Sequence, residues 1–521
     1  MTNRSTNNLI TSLASAISLA VALPQISAQT LSVGQNVNIS RQTGYQAEEA
    51  VAIDPTNPNR MFAWSNDLNS RNSAAFTTDG GASWTSRFTG SDGWPALGGD
   101  PTCSFDNFGN LFGASFNSTF NAILVRASTN AGQTFGIAVG TISGSGLDQP
   151  TIKTGPGTKK RRNQAVWITY YANTTLVARG ATITGRGAIG ALGAALAIPG
   201  SSTGNFGDIA IGPDGRVAVA FQTPDSGVGP SIIRVAVNST GNNAGSFVLA
   251  AGSVATTVGG FRPIPAQPSR TVDAEIGLAY DNTEGPHCGR LYMVYSDAPT
   301  TTSNDLNIFS RFSDNDGATW SSAVRVNTDA GANSQFFPKL ALDPTTGNIG
   351  IVWYDCRNSP SNNRVELWGT VSLDGGLTFL PEVKISTGST SGVGLGSGNE
   401  LGDYIGLDFY NNVLYPVWAD NSNSTGDNPN GTANLDFYGA AVTVVPSHSV
   451  PSLVIASAQL LDGTNVLILS WPNAGGPFSL ENSETLPGSW STVSTPQTTK
   501  ANWVSTTVSN AAPAQYYRLK R

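Results

Sequence analysis

Along this chain apolar and polar residues alternate in short runs punctuated by Gly, Pro, Asn and Asp, the period-two pattern of half-buried strands rather than the 3.6-residue period of helices. Seven runs share one pattern, in which two large apolar positions flank a small one and an Asp or Gly turn follows. They are Ala50-Val51-Ala52-Ile53-Asp54, Thr102-Cys103-Ser104-Phe105-Asp106, Thr151-Ile152-Lys153-Thr154-Gly155, Asp208-Ile209-Ala210-Ile211-Gly212, Gly277-Leu278-Ala279-Tyr280-Asp281, Lys339-Leu340-Ala341-Leu342-Asp343 and Tyr404-Ile405-Gly406-Leu407-Asp408. After most of them comes a turn, then a second apolar strand ending in an aromatic, as in Met61 to Trp64, Ile349 to Tyr354 and Val413 to Trp418. A spacing of roughly 50 to 70 residues is close to that of propeller blades. The one helical-looking run, Ala188 to Ile198, is broken by Gly and reads as strand or loop.

A second signature, Ser/Thr-x-Asp-x-Gly-x-Thr-Trp, suits a tight hairpin turn: the carboxylate accepts backbone hydrogen bonds, Gly supplies positive φ and the aromatic packs between strands. It occurs as Thr77-x-Asp79-x-Gly81-x-Ser83-Trp84 and Ser372-x-Asp374-x-Gly376-x-Thr378-Phe379. Two further copies carry Asn for Asp: Ser128-x-Asn130-x-Gly132-x-Thr134-Phe135 and Ser313-x-Asn315-x-Gly317-x-Thr319-Trp320. With four such Asp-boxes, each placed after an inner-strand motif, residues 31 to about 445 resemble the BNR-repeat, sialidase-like β-propeller superfamily. The expected fold is all-β, a propeller of seven blades with six as the alternative, closed by Leu31 to Ser40 completing the last blade. A Ser/Pro linker at 446–451 leads to short strands over 452–521 that resemble a fibronectin-type β-sandwich, read as a spacer or anchoring module.

Residues 1–28 have the form of a signal peptide, with Arg4, an apolar stretch from Leu9 to Leu23 and a small residue, Ala28, at the cut site. The expectation is a secreted protein whose mature part, 29–445 and beyond, contains no segment long and apolar enough to span a membrane. Among 521 residues, 58 are Gly, 29 are Pro and only 12% are charged, as many short strands joined by turns require; the formal charge of -7 argues against nucleic-acid partners. Lys159-Lys160-Arg161-Arg162 is read as a solvated turn. Cys103, Cys288 and Cys356 fit neither a disulfide framework nor a zinc pattern and are read as buried free thiols. No P-loop, dinucleotide fingerprint, HExxH or nucleophile elbow is present.

In a sialidase-like blade the substrate face carries the residues just before each inner strand and just after each second strand. The former supply Glu48, Glu49, Asp100, Asp148, Gln149, Asp273, Glu275, Glu400, Asp403 and Tyr404; the latter supply Trp64, Tyr170, Tyr171, Trp353, Tyr354, Asp355, Arg357 and Trp418. Carboxylates and aromatics around one mouth suit sugars, which stack on rings and use acids as hydrogen-bond acceptors or as general acid and base. The bland alternative is strand-end capping, or a structural cation such as calcium; no cofactor is expected.

The resemblance implies a Tyr nucleophile in the last blade, an Asp acid/base and Arg residues clamping a substrate carboxylate. Tyr404 takes the nucleophile's place. Glu275 or Glu400 would polarise it, and Asp100 or Asp148 would be the acid/base. Arg357, with Arg262, Arg270 and Arg71, would bind substrate beside Asp355, Asp403, Glu49 and the exit aromatics. Sialidases have six blades and a Phe/Tyr-Arg-Ile-Pro motif near the start, whereas the nearest string here, Phe261-Arg262-Pro263-Ile264-Pro265, lies mid-chain. The leading expectation is a monomeric, sialidase-like glycoside hydrolase that acts on terminal sugars of an extracellular glycan or polysaccharide through Tyr404, nearby carboxylates and Arg357. Two alternatives stay open: a binding-only propeller and a polysaccharide lyase. For the lyase a histidine base is disfavoured, because His287 falls in a hairpin turn on the opposite face and His448 in the linker.

Overall fold

The computed structural model describes residues 29–67, 71–90, 92–158, 163–241, 245–395 and 399–445, and in the C-terminal region 454–459, 465–472, 479–483, 489–500, 503–509 and 516–520; among these described residues there are short strands and no helices. The expected signal peptide, the basic run at 159–162 and the linker lie outside the described residues. One compact unit spans Thr30–Val445; the C-terminal region belongs to a second.

In the first unit each inner-strand motif opens an antiparallel sheet. Blade 1 runs Gln46–Ile53, Met61–Asp67, Arg71–Thr77 and Thr85–Phe88, and the next five blades repeat that up-and-down order from inner strands Thr102–Phe105, Leu147–Pro156, Ile209–Ile211, Gly277–Tyr280 and Gln335–Leu342. Blade 7 has Gly406–Tyr410 innermost and Val413–Asp420 next, and it is finished from the other end of the unit. Thr30–Val33 pairs with Val442–Val445, and Val37–Asn38 pairs with Tyr438–Gly439. Inner strands contact one another in sequence order and the seventh contacts the first, so the ring of seven is closed. Ala188–Ile189 and Leu196–Ala197 are two short strand pieces at the edge of blade 3.

What holds the ring is packing between blades rather than within them. Seven buried apolar clusters correspond to the seven pairs of neighbouring blades; Trp64, Trp94 and Phe135, for instance, fill the interface of blades 1 and 2. In five blades a small residue, Ala52, Ser104, Ala210, Ala279 or Ala341, stands at the centre of the inner strand and lets the sheets converge on the axis; blade 3 has Lys153 there. Cys103 and Cys356 are buried as expected, but Cys288 lies exposed in a polar hairpin turn.

The four Ser/Thr-x-Asp/Asn-x-Gly turns close the hairpins between third and fourth strands. Asp79 accepts from the Thr77 hydroxyl at 2.6 Å, the Ser83 amide at 3.0 Å and the Ser83 hydroxyl at 2.6 Å. Asn130 reproduces this with one reversal: its Oδ1 accepts from the Thr134 amide at 2.9 Å, while its Nδ2 donates to the Thr134 hydroxyl at 2.9 Å. Glycine is required twice over in blade 2, since Gly132 has φ 84° and a Cβ there would stand 2.2 Å from the Phe62 ring. Hydrogen bonds from Ser83 and Thr77 hold the Asp79 carboxyl down at about 2. Because the folded value is depressed, its stabilisation is present above the unfolded value near 3.9 and is lost as pH falls towards 2. The protection of the Ser83 amide against hydrogen exchange, relative to its intrinsic rate, should therefore fall between pH 4 and 2 while the Thr134 amide, held by the amide side chain of Asn130, stays protected; equal loss in both turns would contradict this assignment.

The C-terminal region forms two sheets, one of Val454–Gln459, Asn465–Pro472, Gln497–Lys500 and Trp503–Ser509 and one of Ser479–Ser483, Ser491–Thr492 and Tyr516–Lys520. Leu469, Val504 and Val508 of the first meet Leu480 of the second in a small common core.

Candidate active site at the channel mouth

One side chain per blade rings the mouth of the central channel, and a backbone device puts it there. Two residues before each inner strand settles into register stand Glu48, Asp100, Gln149, Phe206, Glu275 and Phe337, all with φ between 41° and 61°. In blades 1, 3 and 6 this is a bulge in the pairing with the second strand. Left-handed backbone in a non-glycine residue costs of order 1 kcal/mol, and six repeats of it argue for a placed feature. Tyr404 takes this place in blade 7, because Gly406 pairs with Val417 as Lys339 pairs with Val352. The seventh inner-strand motif is thus shifted by two residues from the sequence alignment: Asp408, not Gly406, occupies the central column. There its Oδ2 accepts from the Ile53 amide at 2.7 Å, tying blade 7 to blade 1.

A hairpin inserted between blades 4 and 5, Arg262–Ile264 with Gln267–Val272, crosses to the approach of blade 7. Gln267 donates to the Gly402 carbonyl at 2.8 Å and accepts from the Leu401 amide at 2.8 Å. Glu400 accepts from the Ser269 and Arg270 amides at 3.1 and 3.2 Å. Underneath, Ile264 and Val272 pack with Phe336, Phe337, Leu401 and Ile405. The hairpin delivers Arg270, whose guanidinium forks onto both oxygens of Asp403, with Nε–Oδ1 at 2.7 Å, and reaches Glu48 Oε1 at 3.2 Å. Glu48 also accepts from Asn66, whose Oδ1 receives the Asp100 amide at 2.8 Å. Across the mouth, Lys339 pairs with Glu275 at 3.4 Å and stands 5.7 Å from the centroid of the Tyr404 ring.

Five of the acids around the mouth are reluctant to ionise, burial being the first cause for each. Burial, with Asp148 and Asp403 adding to it, pushes Asp100 up to about 7. Burial does the same for Glu275, to about 7, against the opposing pull of Lys339. Glu48 is raised by burial and then by Asp403 and Asp100, with Arg270 offsetting only part. Burial also raises Asp148, against a hydrogen bond from Asn205, and raises Asp273, where Glu275 adds to it. The Tyr404 phenol is driven well above its usual value by burial and by Asp100, Glu48, Asp403 and Glu275; no hydrogen bond to its hydroxyl is found among the described residues. Those carboxylates oppose phenolate formation.

Beside the mouth opens a cleft of about 400 Å³ between blades 3 and 4 and the hairpin, with Asp148, Asp273, Asp403 and Arg270 at its inner end and Tyr171, Phe206 and Phe261 along its wall. Among the described residues no group of three or more His, Cys, Asp or Glu is placed to hold a metal ion.

The structure thus brings Tyr404, Glu275, Asp100, Asp148 and Asp403 to one mouth, with Glu400 behind them as a cap on the hairpin backbone. The other expected residues sit elsewhere. Trp64, Trp353, Tyr354 and Trp418 are at most 1% exposed and pack between blades, so they offer no face to a ligand. The indoles of Trp353 and Trp418 donate to Asp355 and Asp420 at 2.8 and 3.1 Å, and the Tyr354 hydroxyl bridges to the Ala419 backbone of blade 7. Arg357 is held within blade 6 by Asp355 at 2.7 Å and by Glu382, over the Trp368 ring at 3.9 Å. Arg262 is buried against the carbonyls of Thr257 and Thr300, and Arg71 pairs with Asp67. Glu49 is turned into the wall of the channel, 1% exposed, its carboxyl raised by burial. The residues that take over are Arg270, Lys339, Phe261 and Asn205. Arg270 is already among the candidate arginines; for it and Phe261 the sequence signal is the surplus of chain between Thr256, which ends blade 4, and Gly277, which starts blade 5, whereas Lys339 opens the sixth inner-strand motif and Asn205 lies three residues before the fourth.

No family model matches the chain, and no curated protein matches it. Among solved structures it is similar to a protein of unknown function from Dyadobacter fermentans, with 13% identity and TM-score 0.44 over 80% of this chain and 99% of that one. It is also similar to the α-L-arabinofuranosidase Arb93A of Fusarium graminearum, with 12% identity and TM-score 0.39 over 65% and 98%. A third is the Aleuria aurantia lectin, a six-bladed propeller, with 14% identity and TM-score 0.37 over 66% and 96%. The seven-bladed assignment rests on this chain's own sheets.

Proposed function

We propose that the mouth is the active site of a secreted glycoside hydrolase working on terminal sugars of extracellular glycans, with Asp100 as general acid. The observation that carries this reading is a carboxyl held to about 7 beside Asp148 and Asp403, two acids that line a cleft walled by aromatic rings. Such an acid keeps its proton near neutrality and can give it to a departing glycosidic oxygen, while an ionised neighbour on the other side of the sugar steadies the developing cation or activates water. The hairpin closes the mouth over blades 6 and 7, which favours attack at a chain end.

A sialidase-like version, with Tyr404 as nucleophile, is the second reading; the place of Tyr404 on the ring favours it. Against it stand the raised phenol and the want of a clamp: Arg262 and Arg357 are committed elsewhere, and Arg270 is taken by Asp403 and Glu48. A mouth rich in acids also repels a carboxylated sugar.

The test is a panel of aryl glycosides with the purified chain and its Tyr404→Phe variant. Turnover of uncharged glycosides, changed less than about tenfold by Tyr404→Phe, is expected; the proton-transfer step of an Asp100 acid is worth 10²–10⁴-fold by comparison. Turnover of the aryl sialoside that vanishes in Tyr404→Phe would establish the second reading. Glycan binding without turnover would make the protein a lectin-like propeller, and release of an unsaturated uronate would make it a lyase.

A further inference from the structure

The cleft beside the mouth holds two features that general-acid chemistry at Asp100 does not use. The first is Phe261, 54% exposed at its rim, with the ring held edge-on by Phe206 at 5.7 Å between centroids. A large aromatic kept in water but fixed in orientation is a platform for the apolar face of a sugar ring. The second is Asn205. It lines the cleft at 6% exposure, its Nδ2 donates to Asp148 Oδ2 at 3.2 Å, and its Oδ1 is buried without a hydrogen-bond partner. A buried acceptor left unpaired forfeits the hydrogen bonds it had to water, so something that donates belongs there.

The charge of the cleft says what kind of donor. Asp148 and Asp225 flank Tyr171, whose phenol is raised by burial and then by both of them. Neither has an ion-pair partner among the described residues: Arg270, the cation in this cleft, is bound to Asp403 and Glu48 and offsets only the least part of what raises Asp148. Two carboxylates and an orphan amide oxygen around one space can be met together by an ammonium group.

From these contacts we infer that the cleft takes a residue of an amino sugar with its amine free and protonated, the ring face on Phe261 and the ammonium directed to Asn205 Oδ1, Asp148 and Asp225. This rests on the glycan-active reading and narrows its substrate class to glycans that contain unacetylated hexosamine.

Titration calorimetry on the full chain tests it, with β-1,4-linked tetramers of glucosamine, of N-acetylglucosamine and of glucose as probes at pH 6. We expect the glucosamine tetramer to bind at least tenfold more tightly than the other two, with the advantage shrinking in 0.5 M salt. Asp225→Asn should cut that advantage to about threefold or less. Phe261→Ala should weaken all three by about tenfold. Asp225 and Phe261 are both partly solvent-exposed, and circular dichroism checks that each variant is folded. Equal binding of charged and uncharged tetramers would overturn the amino-sugar inference and leave the glycan reading standing. Failure to bind any tetramer, or any glycan of the wider panel, would overturn both. Spermine binding as tightly as the glucosamine tetramer and unaffected by Phe261→Ala would show a cation patch instead of a sugar subsite and would also overturn it.

Discussion

Asp100→Asn should lower kcat/KM on the best aryl glycoside by 10²–10⁴-fold, the range for loss of a positioned general acid. In the parent protein the rate should fall as pH rises through about 7, where Asp100 loses its proton; in the variant that limb should vanish. Stability should move the opposite way. A carboxyl whose folded value is raised binds its proton more tightly when folded, so its contribution declines as pH climbs from about 3.9 to about 7, and above that the ionised form is a burden on the fold. An amide carries no such burden. The Tm of Asp100→Asn should equal or exceed that of the parent at pH 8, and a Tm that drops there together with activity would mean that Asp100 is a structural residue and not the acid.

The second large effect is expected at Arg270. Removing one partner from a fully buried ion pair costs about 3–5 kcal/mol; with Arg270 36% and Asp403 23% exposed, solvent screening reduces this for Arg270→Met to about 2 kcal/mol. The loss should be local at first, with exchange of the Ser269 and Arg270 amides, now capped by Glu400, rising before the rest of the unit opens. Arg270 is also the cation that pulls the Asp100 carboxyl down, so the variant's pH–rate limb should shift to higher pH. Arg270→Lys, which keeps the charge but not the fork, should restore the pH profile more fully than the stability. A variant with lowered Tm and an unmoved pH profile would show that the hairpin braces the ring without tuning the acid.

The ring was legible in the sequence because its determinants are local. An inner strand with a small central residue and a turn with a fixed acceptor and Gly can each be read within ten residues. The site was legible in part, since the acids before each inner strand do converge as the period requires. Three things were not local. Trp353 and Trp418 end their strands in a way that reads the same whether the ring faces the mouth or packs between blades, and only the twist and spacing of the sheets decide it. Gly402-Asp403-Tyr404-Ile405-Gly406-Leu407 imitates the inner-strand pattern two residues early, and the register is set by pairing with Val417 across the hairpin. The hairpin of Arg270 earns its place through contacts with residues more than 130 positions away, which no window of sequence displays.

Because Thr30–Val33 lies against Val442–Val445, the first strand of the propeller unit waits for its partner through roughly 400 residues of synthesis, at least about 20 s at some 20 residues per second. Until then the nascent chain is an open arc with a bare edge at each end, prone to pairing with other chains. The closing pair acts as a timer: a protease or chaperone that meets the chain before Val442 has emerged meets a different molecule from the one that meets it after.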